Sequence, residues 1–485
     1  MKSLEFIKKE QKEISLLLQI SSVLDWDQKT YMPSGSSKEK SEQRSYLSKK
    51  IHNKLTSDKL FEEVKKLKRK RKELEEKNKI IIDRLYKDII KARKVPEELI
   101  EKISKATSKG FDKWQEAKRK NDFEIFKPSL KKIVKLKRKE AKALDLDGHI
   151  YNSLLDQFEE GMTVEKLDPI FEELKEGIIE LKDKINNSND VNNMNNKDIS
   201  NKDKIDTVEK IINLLNLPNS RFRFDISEHP FTTYLNSNDI RITVNLDEEF
   251  EEVIFSTLHE SGHAIHSLNL PKEDQYNVLY DSPSLGIAES QSRLWENLIG
   301  KNKNFWKNNF SIINDKIDMS LEEWIKSINS VKPNKIRVKS DEVHYCLHII
   351  LRYELEKGLI EGSIEVEDLP ELWNKKMEEY LGLKPEDDRE GILQDVHWSE
   401  GFFGYFPSYA LGNIYASQFY NKLSNEVDIS KLDKKKIKEI KKWLGKNIHK
   451  HERKILAEDL IKKVSGEELS PEIFIDYLNN KYSKI

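Results

Sequence analysis

Cysteine is almost missing from this chain: Cys346 is the only one in 485 residues. An internal disulfide framework is therefore excluded, and a reducing cytoplasm is the expected compartment. Long apolar runs are missing too. No stretch of 18 apolar residues occurs, and charges interrupt the N-terminal "MKSLEFIKKEQKEISLLLQISSVL" where a signal peptide needs an apolar core, so neither secretion nor a membrane span is expected. Charge of one sign is not in excess either. Lys plus Arg number 85 against 86 Asp plus Glu, and a net charge of −1 gives no overall attraction to nucleic acid or anionic membrane. The basic runs "KKLKRKRKELEEKNK" (65–79) and "KKIVKLKRKEAK" (131–142) read as solvated helix faces, because apolar residues recur within or beside them.

Charged residues make up 35% and hydrophobic ones 37%, the profile of a protein built from long amphipathic helices with charged outer faces. From Ser3 to about Glu180, apolar residues recur every three or four positions and Gly and Pro are sparse, which predicts a series of long helices. The fold class is mainly α. We read one domain over 1–485, with an N-terminal helical half (1–184), an Asn-rich surface insertion (185–206) and a catalytic half (207–485). The insertion holds "INNSNDVNNMNNKDISNKD", too poor in apolar residues to offset the entropy of ordering. Beyond it, Ile240, Ile242, Val244 and Leu246 alternate with Arg241, Thr243 and Asn245, the two-residue period of a half-buried strand.

Helical spacing resumes near Asp247 and leads into "STLHESGHAIHS" (256–267). A helix brings positions i and i+4 to one face, so His259 and His263 present their imidazoles together. Glu260 stands beside them, where it can take a proton from water activated by a metal ion. Acidic residues from Asp247 to Glu252 suit the positive end of the helix dipole, and Phe250, Val253, Ile254, Leu258, Ile265 and Leu268 form its apolar stripe. Gly262 costs the helix about 1 kcal/mol relative to alanine, which suggests a close neighbour. The pair His344 and His348 repeats the spacing, but Tyr345 takes the glutamate's place, so a structural role is the better reading. Catalytic zinc usually takes three protein ligands, so a carboxylate should follow. Glu289 in "SPSLGIAESQSRLWENLIG" is the first candidate and Glu296 its competitor; periodicity favours Glu289 only slightly.

These residues resemble the carboxypeptidase Taq family of thermostable metallocarboxypeptidases. The resemblance runs in order through "HPF" (229–231), "DIRIT" (239–243), "HESGH" (259–263), "AESQ" (288–291), "IRVKSD" (336–341) and "GILQDVHW" (391–398), with earlier echoes in "LDWDQKTYMP" and "YNSLLDQFEEGMT". One motif departs from the family pattern: Ala288 stands where the family has histidine, while the glutamate that follows is kept. The resemblance implies a saddle-like helical metallopeptidase with a deep active-site groove and a small β-sheet next to the HExxH helix. It also implies a homodimer, peptide substrates shortened one residue at a time from the C-terminus, and zinc, or cobalt in some members.

On this reading His259, His263 and Glu289 hold the metal and Glu260 is the general base. Arg337, by its place in "IRVKSD", is the first choice for the substrate's terminal carboxylate and Arg352 the second, the alternative for both being a structural ion pair. Asp239 and Arg241 leave the same face of their strand, either to bond each other or to orient substrate. His229, Gln394 and His397 resemble family residues that line the substrate site. Tyr405 and Tyr409 in "GFFGYFPSYALGN" are candidates to donate to the developing oxyanion, with core packing as the alternative. Two other functions stay open: a zinc oligopeptidase cutting inside short peptides, and a helical peptide-binding protein that kept the site and lost turnover.

Overall fold

The computed structural model describes residues 2–185 and 199–482. The chain opens with α1 (Lys2–Lys29), α2 (Ser37–Leu55), α3 (Asp58–Arg69), α4 (Glu76–Lys94), α5 (Glu97–Lys120), α6 (Phe123–Leu144), the short α7 (Asn152–Leu155) and α8 (Val164–Ile185). Their ends follow local chemistry. Ser57 caps α3 by accepting from the Leu60 amide, Asn121 ends α5 in the left-handed conformation at φ 55°, and Asp122 then accepts from the Glu124 amide to begin α6.

Two cores divide these helices. Ile7, Leu60, Val64, Leu67, Ile82, Leu85 and Ile89 form a small cluster among α1, α3 and α4. Residues of α6 and α8, such as Leu130, Phe171 and Leu174, belong instead to the large core that continues through the rest of the molecule. The helical half drawn at residue 184 thus does not follow the division of the cores. Most of the Asn-rich segment lies outside the described residues, but its end is helical: Ser200 caps α9 (Asn201–Leu214) with its side chain on the Asp203 amide.

A three-stranded sheet follows, formed by β1 (Phe222–Ile226), β2 (Thr232–Asn236) and β3 (Asp239–Val244). Strand β3 is central, parallel to β1 with Phe222 opposite Ile240, and antiparallel to β2 with Thr232 opposite Ile242. The alternation read from the sequence holds in part: Ile240, Ile242 and Val244 are buried and Arg241 is half-exposed, but Thr243 is buried too, and the strand ends at Val244, before Asn245 and Leu246. The sheet packs against α10 (Phe250–Asn269), whose first turn is closed by a capping box between Glu249 and Glu252. All six residues of the expected apolar stripe of α10 are buried.

The remaining helices are α11 (Leu285–Arg293), α12 (Lys303–Asn309), α13 (Leu321–Ile328), α14 (Tyr345–Glu361), α15 (Leu369–Leu381), α16 (Pro407–Glu426), α17 (Lys434–Asn447), α18 (Ala457–Ser465) and α19 (Glu472–Tyr482). Helix α11 runs on into a π-helical turn, Leu294–Ile299, a feature that recurs at functional sites. No described helix is long and apolar enough to cross a membrane.

Candidate active site

Helices α10 and α11 cross where Gly262 meets the backbone of Gln291 and Ser292. A β-carbon at 262 would lie 2.5 Å from the Gln291 carbonyl oxygen and 2.7 Å from Ser292 Cα, so only glycine permits this approach. The close neighbour that the sequence suggested is therefore α11. From the other side, Gly412 lets α16 reach Glu289, whose Cγ would be 2.7 Å from a β-carbon there. The N-terminus of α11 is fixed by Ser284, which accepts from the Ile287 amide, and by the buried carboxylate of Glu159, which accepts from the Gly286 amide.

This crossing places His259 and His263 opposite Glu289. Glu289 Oε2 lies 3.8 Å from His259 Nε2 and 3.5 Å from His263 Nε2, and one ligand atom from each residue falls within 4.8 Å of the others. Among the described residues no other group of three His, Cys, Asp or Glu side chains converges in this way. The dimensions fit a cation. Tetrahedral coordination at about 2.1 Å separates ligand atoms by roughly 3.4 Å, close to the spacing seen. Two imidazoles and a carboxylate are also the donor set of a catalytic zinc site with one position open, and cobalt accepts the same donors.

Glu296 does not join the three. Its Oε2 sits 2.7 Å from His259 Nδ1, on the far side of the ring, where it orients the imidazole so that Nε2 faces the centre. Between the two glutamates lies Arg293, with Nε donating to Glu289 Oε1 at 2.8 Å and Nη1 to Glu296 Oε2 at 3.1 Å. Burial alone would raise the Glu289 carboxyl, but the Arg293 guanidinium and the two imidazoles outweigh it and hold it well below the usual carboxylate range. Burial likewise opposes ionisation of Glu296, yet Arg293 and His259 bring it down to about 2. His259 responds in the opposite sense: burial disfavours its charge, but Glu289 and Glu296 push it up to about 9. The centre is thus built to receive positive charge.

Glu260 is buried one position beyond His259, and its Oε2 accepts a 2.6 Å hydrogen bond from Thr232 Oγ1 on β2. The sheet expected beside the HExxH helix therefore holds its glutamate. Asp239 and Arg241 bond each other, with both Nε and Nη2 of Arg241 on the carboxylate, and the guanidinium lies 4.4 Å from the centre of the Trp26 ring. His229 is exposed just before β2.

Arg337 and Arg352 converge on Asp395, which stands inside "GILQDVHW" between Gln394 and His397. Nε and Nη2 of Arg337 both donate to Asp395 Oδ1, at 3.0 and 2.9 Å, and its Nη1 donates to the Tyr345 hydroxyl at 3.1 Å. Arg352 is fully buried on Asp395 Oδ2 and the His348 carbonyl, beneath Trp373. This corrects its assignment as a direct substrate contact: no face of Arg352 is open, so its charge serves Asp395. Gln394 accepts from the Arg337 amide at 2.9 Å and donates to the carbonyls of Lys335 and Glu390. His344 and His348 are buried on Asp341 and the Asn334 carbonyl, the structural role expected of them.

Tyr345 joins the two halves of the site, stacking under the Arg293 guanidinium at 4.3 Å and edge-on to Tyr409 at 6.5 Å. Tyr405, Tyr409 and His397 form one aromatic group, with His397 Nε2 3.4 Å from the Tyr409 hydroxyl. Burial brings the His397 imidazole down to about 3, so the ring is neutral, and burial raises both phenols, so they remain O–H donors at neutral pH. Sequence reasoning passed over Arg293, Thr232 and Asp395. Arg293 left a signal, at i+4 from Glu289 and i−3 from Glu296, and so did Asp395, inside "GILQDVHW"; Thr232 left none.

A family model described as Carboxypeptidase Taq (M32) metallopeptidase matches residues 6–482. The carboxypeptidase 1 of Bacillus subtilis (strain 168) is 39% identical over 484 residues, covering 98% of this chain and 97% of its own. Thermostable carboxypeptidase 1 of Thermus thermophilus is 33% identical over 499 residues, with 98% and 97% covered. Among solved structures, a carboxypeptidase of Pyrococcus furiosus, 33% identical, superposes with a TM-score of 0.95 over 99% of both chains. An M32 carboxypeptidase of Deinococcus radiodurans R1, 28% identical, does so with a TM-score of 0.95 over 100% of this chain and 99% of its own. A helical body carrying two imidazoles, a carboxylate and an adjacent buried glutamate is that of a metallopeptidase. The chain belongs to the carboxypeptidase Taq (M32) family and is a metallocarboxypeptidase.

Proposed function

We propose that this enzyme is a zinc-dependent carboxypeptidase that releases single amino acids from the C-termini of peptides, with Glu260 as general base. The observation that carries the reading is the convergence of His259, His263 and Glu289 within 4.8 Å, with Glu260 on the same helical turn and its free rotation removed by Thr232. A divalent ion bound by those three supplies Lewis-acid polarisation of the scissile carbonyl and brings the pKa of water toward about 7. Cobalt is the alternative occupant.

Glu260 takes the proton of the attacking water and hands it to the leaving nitrogen. Its bond from Thr232 fixes which oxygen is occupied, leaving Oε1 for that transfer. The phenols of Tyr405 and Tyr409 donate to the oxygen that gains charge as the carbonyl becomes tetrahedral. Tyr345 and Arg293 connect Arg337 to the metal ligand Glu289, which supports its role toward the terminal carboxylate. Asp395 takes Nε–H and one N–H of Nη2, and the Tyr345 hydroxyl takes one N–H of Nη1, so one N–H on each of Nη1 and Nη2 is left to offer the terminal carboxylate. Gln394 positions the Arg337 backbone, and His397 keeps the Tyr409 hydroxyl in place. His229, exposed before β2, and Arg241, locked to Asp239, are assigned to the walls of the substrate site. A cytoplasmic homodimer completes the proposal, supported by the lone buried cysteine for the compartment and by family membership for the assembly.

The test is a time course of peptide digestion followed by mass spectrometry, with and without chelator. A ladder of products shortened one residue at a time, abolished by chelator and restored by zinc, is the expected result. Internal fragments would identify an oligopeptidase, and an intact peptide would identify a binding protein.

A further inference from the structure

Arg293 touches two side chains around the proposed metal centre that serve different purposes. Glu289 offers two oxygens: Oε2 faces His259 and His263, while Oε1 accepts from Arg293 Nε at 2.8 Å. Glu296 Oε2 meets both Arg293 Nη1, at 3.1 Å, and His259 Nδ1, at 2.7 Å. A single planar guanidinium therefore reaches one metal ligand directly and a second through Glu296. It is itself held flat, with its side chain only 12% exposed and its face 4.3 Å from the centre of the Tyr345 ring.

We infer that Arg293 is the positioning residue that sets the coordination of the metal centre, keeping Glu289 a one-oxygen ligand by occupying Oε1 and fixing the His259 ring through Glu296. The inference rests on His259, His263 and Glu289 being the metal ligands. A carboxylate with both oxygens free can bind a cation through one of them or through both. A second oxygen from Glu289 would fill the position that water and substrate need. The rigid fork of arginine suits this task, since its nitrogens point at two carboxylates at once. Lysine, a single ammonium on a flexible stem, can satisfy one of them at a time. Spacing supports the same reading: Arg293 lies one helical turn beyond Glu289 and one turn before Glu296, so the three share a face of α11 and the π-helical turn that extends it.

The test uses the full-length enzyme reconstituted with cobalt, whose visible absorption weakens as coordination number rises from four to five. Wild type, Arg293→Met and Arg293→Lys are compared by that spectrum, by the rate at which chelator removes the metal, and by melting temperature. Arg293→Met is expected to lose intensity in the cobalt bands and to bind its metal about 10 to 100 times more weakly, the range found when a group supporting a ligand is removed, with faster loss to chelator. Arg293→Lys is expected to fall between the two. Should Arg293→Met fail to fold, the spectrum and metal lifetime of Arg293→Lys decide. A wild-type spectrum and metal lifetime in the variants that fold would overturn the inference while leaving the metal site in place. A wild-type enzyme that takes up no more cobalt than its His263→Ala variant would instead remove the metal site itself, and this inference with it.

Discussion

At the scale of single residues, the centre works by dividing labour among four acids. Glu289 and Glu296 are held ionised by Arg293 and the imidazoles in a buried setting that would otherwise neutralise them. Glu260 is held differently, on a hydroxyl donor rather than a cation, its Oε2 accepting from Thr232 Oγ1. Glu159 lies further back, pushed up to about 7 by burial, and anchors the start of α11. Replacing Glu260 with Gln preserves shape and the Thr232 contact but removes the proposed base. The expected outcome is a metal content equal to wild type with kcat lowered by about 10²- to 10⁴-fold, read by metal analysis and steady-state kinetics on one preparation. Full turnover in Glu260→Gln would reassign the proton transfer.

At the scale of elements, the active site is a crossing of two helices that tolerates no side chain at its centre. Gly262→Ala would drive a methyl group into the backbone of Gln291 and Ser292, neither of which can rotate away. A loss of about 1–3 kcal/mol in stability is expected, the usual cost of overpacking, together with weaker metal binding as α11 is pushed from α10. Thermal melts and chelator titrations check both, and unchanged metal affinity would show that the crossing does not set the ligand spacing. Legibility in the sequence divides along the same line. The pairing of His259 with His263 on one face, the strand before α10 and the meaning of Gly262 are readable because periodicity and helical spacing are local, whereas periodicity favours Glu289 over Glu296 only slightly. The Arg293–Tyr345 contact, and Asp395 as the anion shared by Arg337 and Arg352, join residues more than 40 positions apart and are encoded by no local pattern. Arg352 was misplaced for that reason: a guanidinium looks the same in sequence whether it faces substrate or is sealed beneath a tryptophan.

At the scale of the whole molecule, the small core of α1, α3 and α4 is tied to the C-terminal part through a buried acid pair. Asp274 accepts from Lys77 of α4 at 2.8 Å, while Lys454 bridges Asp274 and Glu452, at 3.3 and 2.7 Å. Burial and the facing Asp274 carboxylate push Glu452 up to about 8, whereas Asp274, despite burial, is lowered by Lys77 and its other donors. Glu452 thus binds its proton more tightly folded than unfolded. Its contribution to stability is complete below the ordinary glutamate pKa, near about 4.3, and is lost as pH rises through about 8. Glu159 and Glu356, each raised to about 7 by burial, add a loss of the same sign. The melting temperature is therefore expected to fall from pH 6 to pH 9, and Glu452→Gln to make that fall shallower by on the order of 2 °C. Identical pH profiles for the two proteins would remove Glu452 from the linkage.

The direct test of the metal centre is anomalous scattering from crystals of the enzyme grown with zinc, with data collected on both sides of the zinc absorption edge. One peak is expected, about 2.0–2.2 Å from a nitrogen of His259, a nitrogen of His263 and one oxygen of Glu289. A zinc peak elsewhere, or one between the imidazoles with Glu289 turned away, would contradict it.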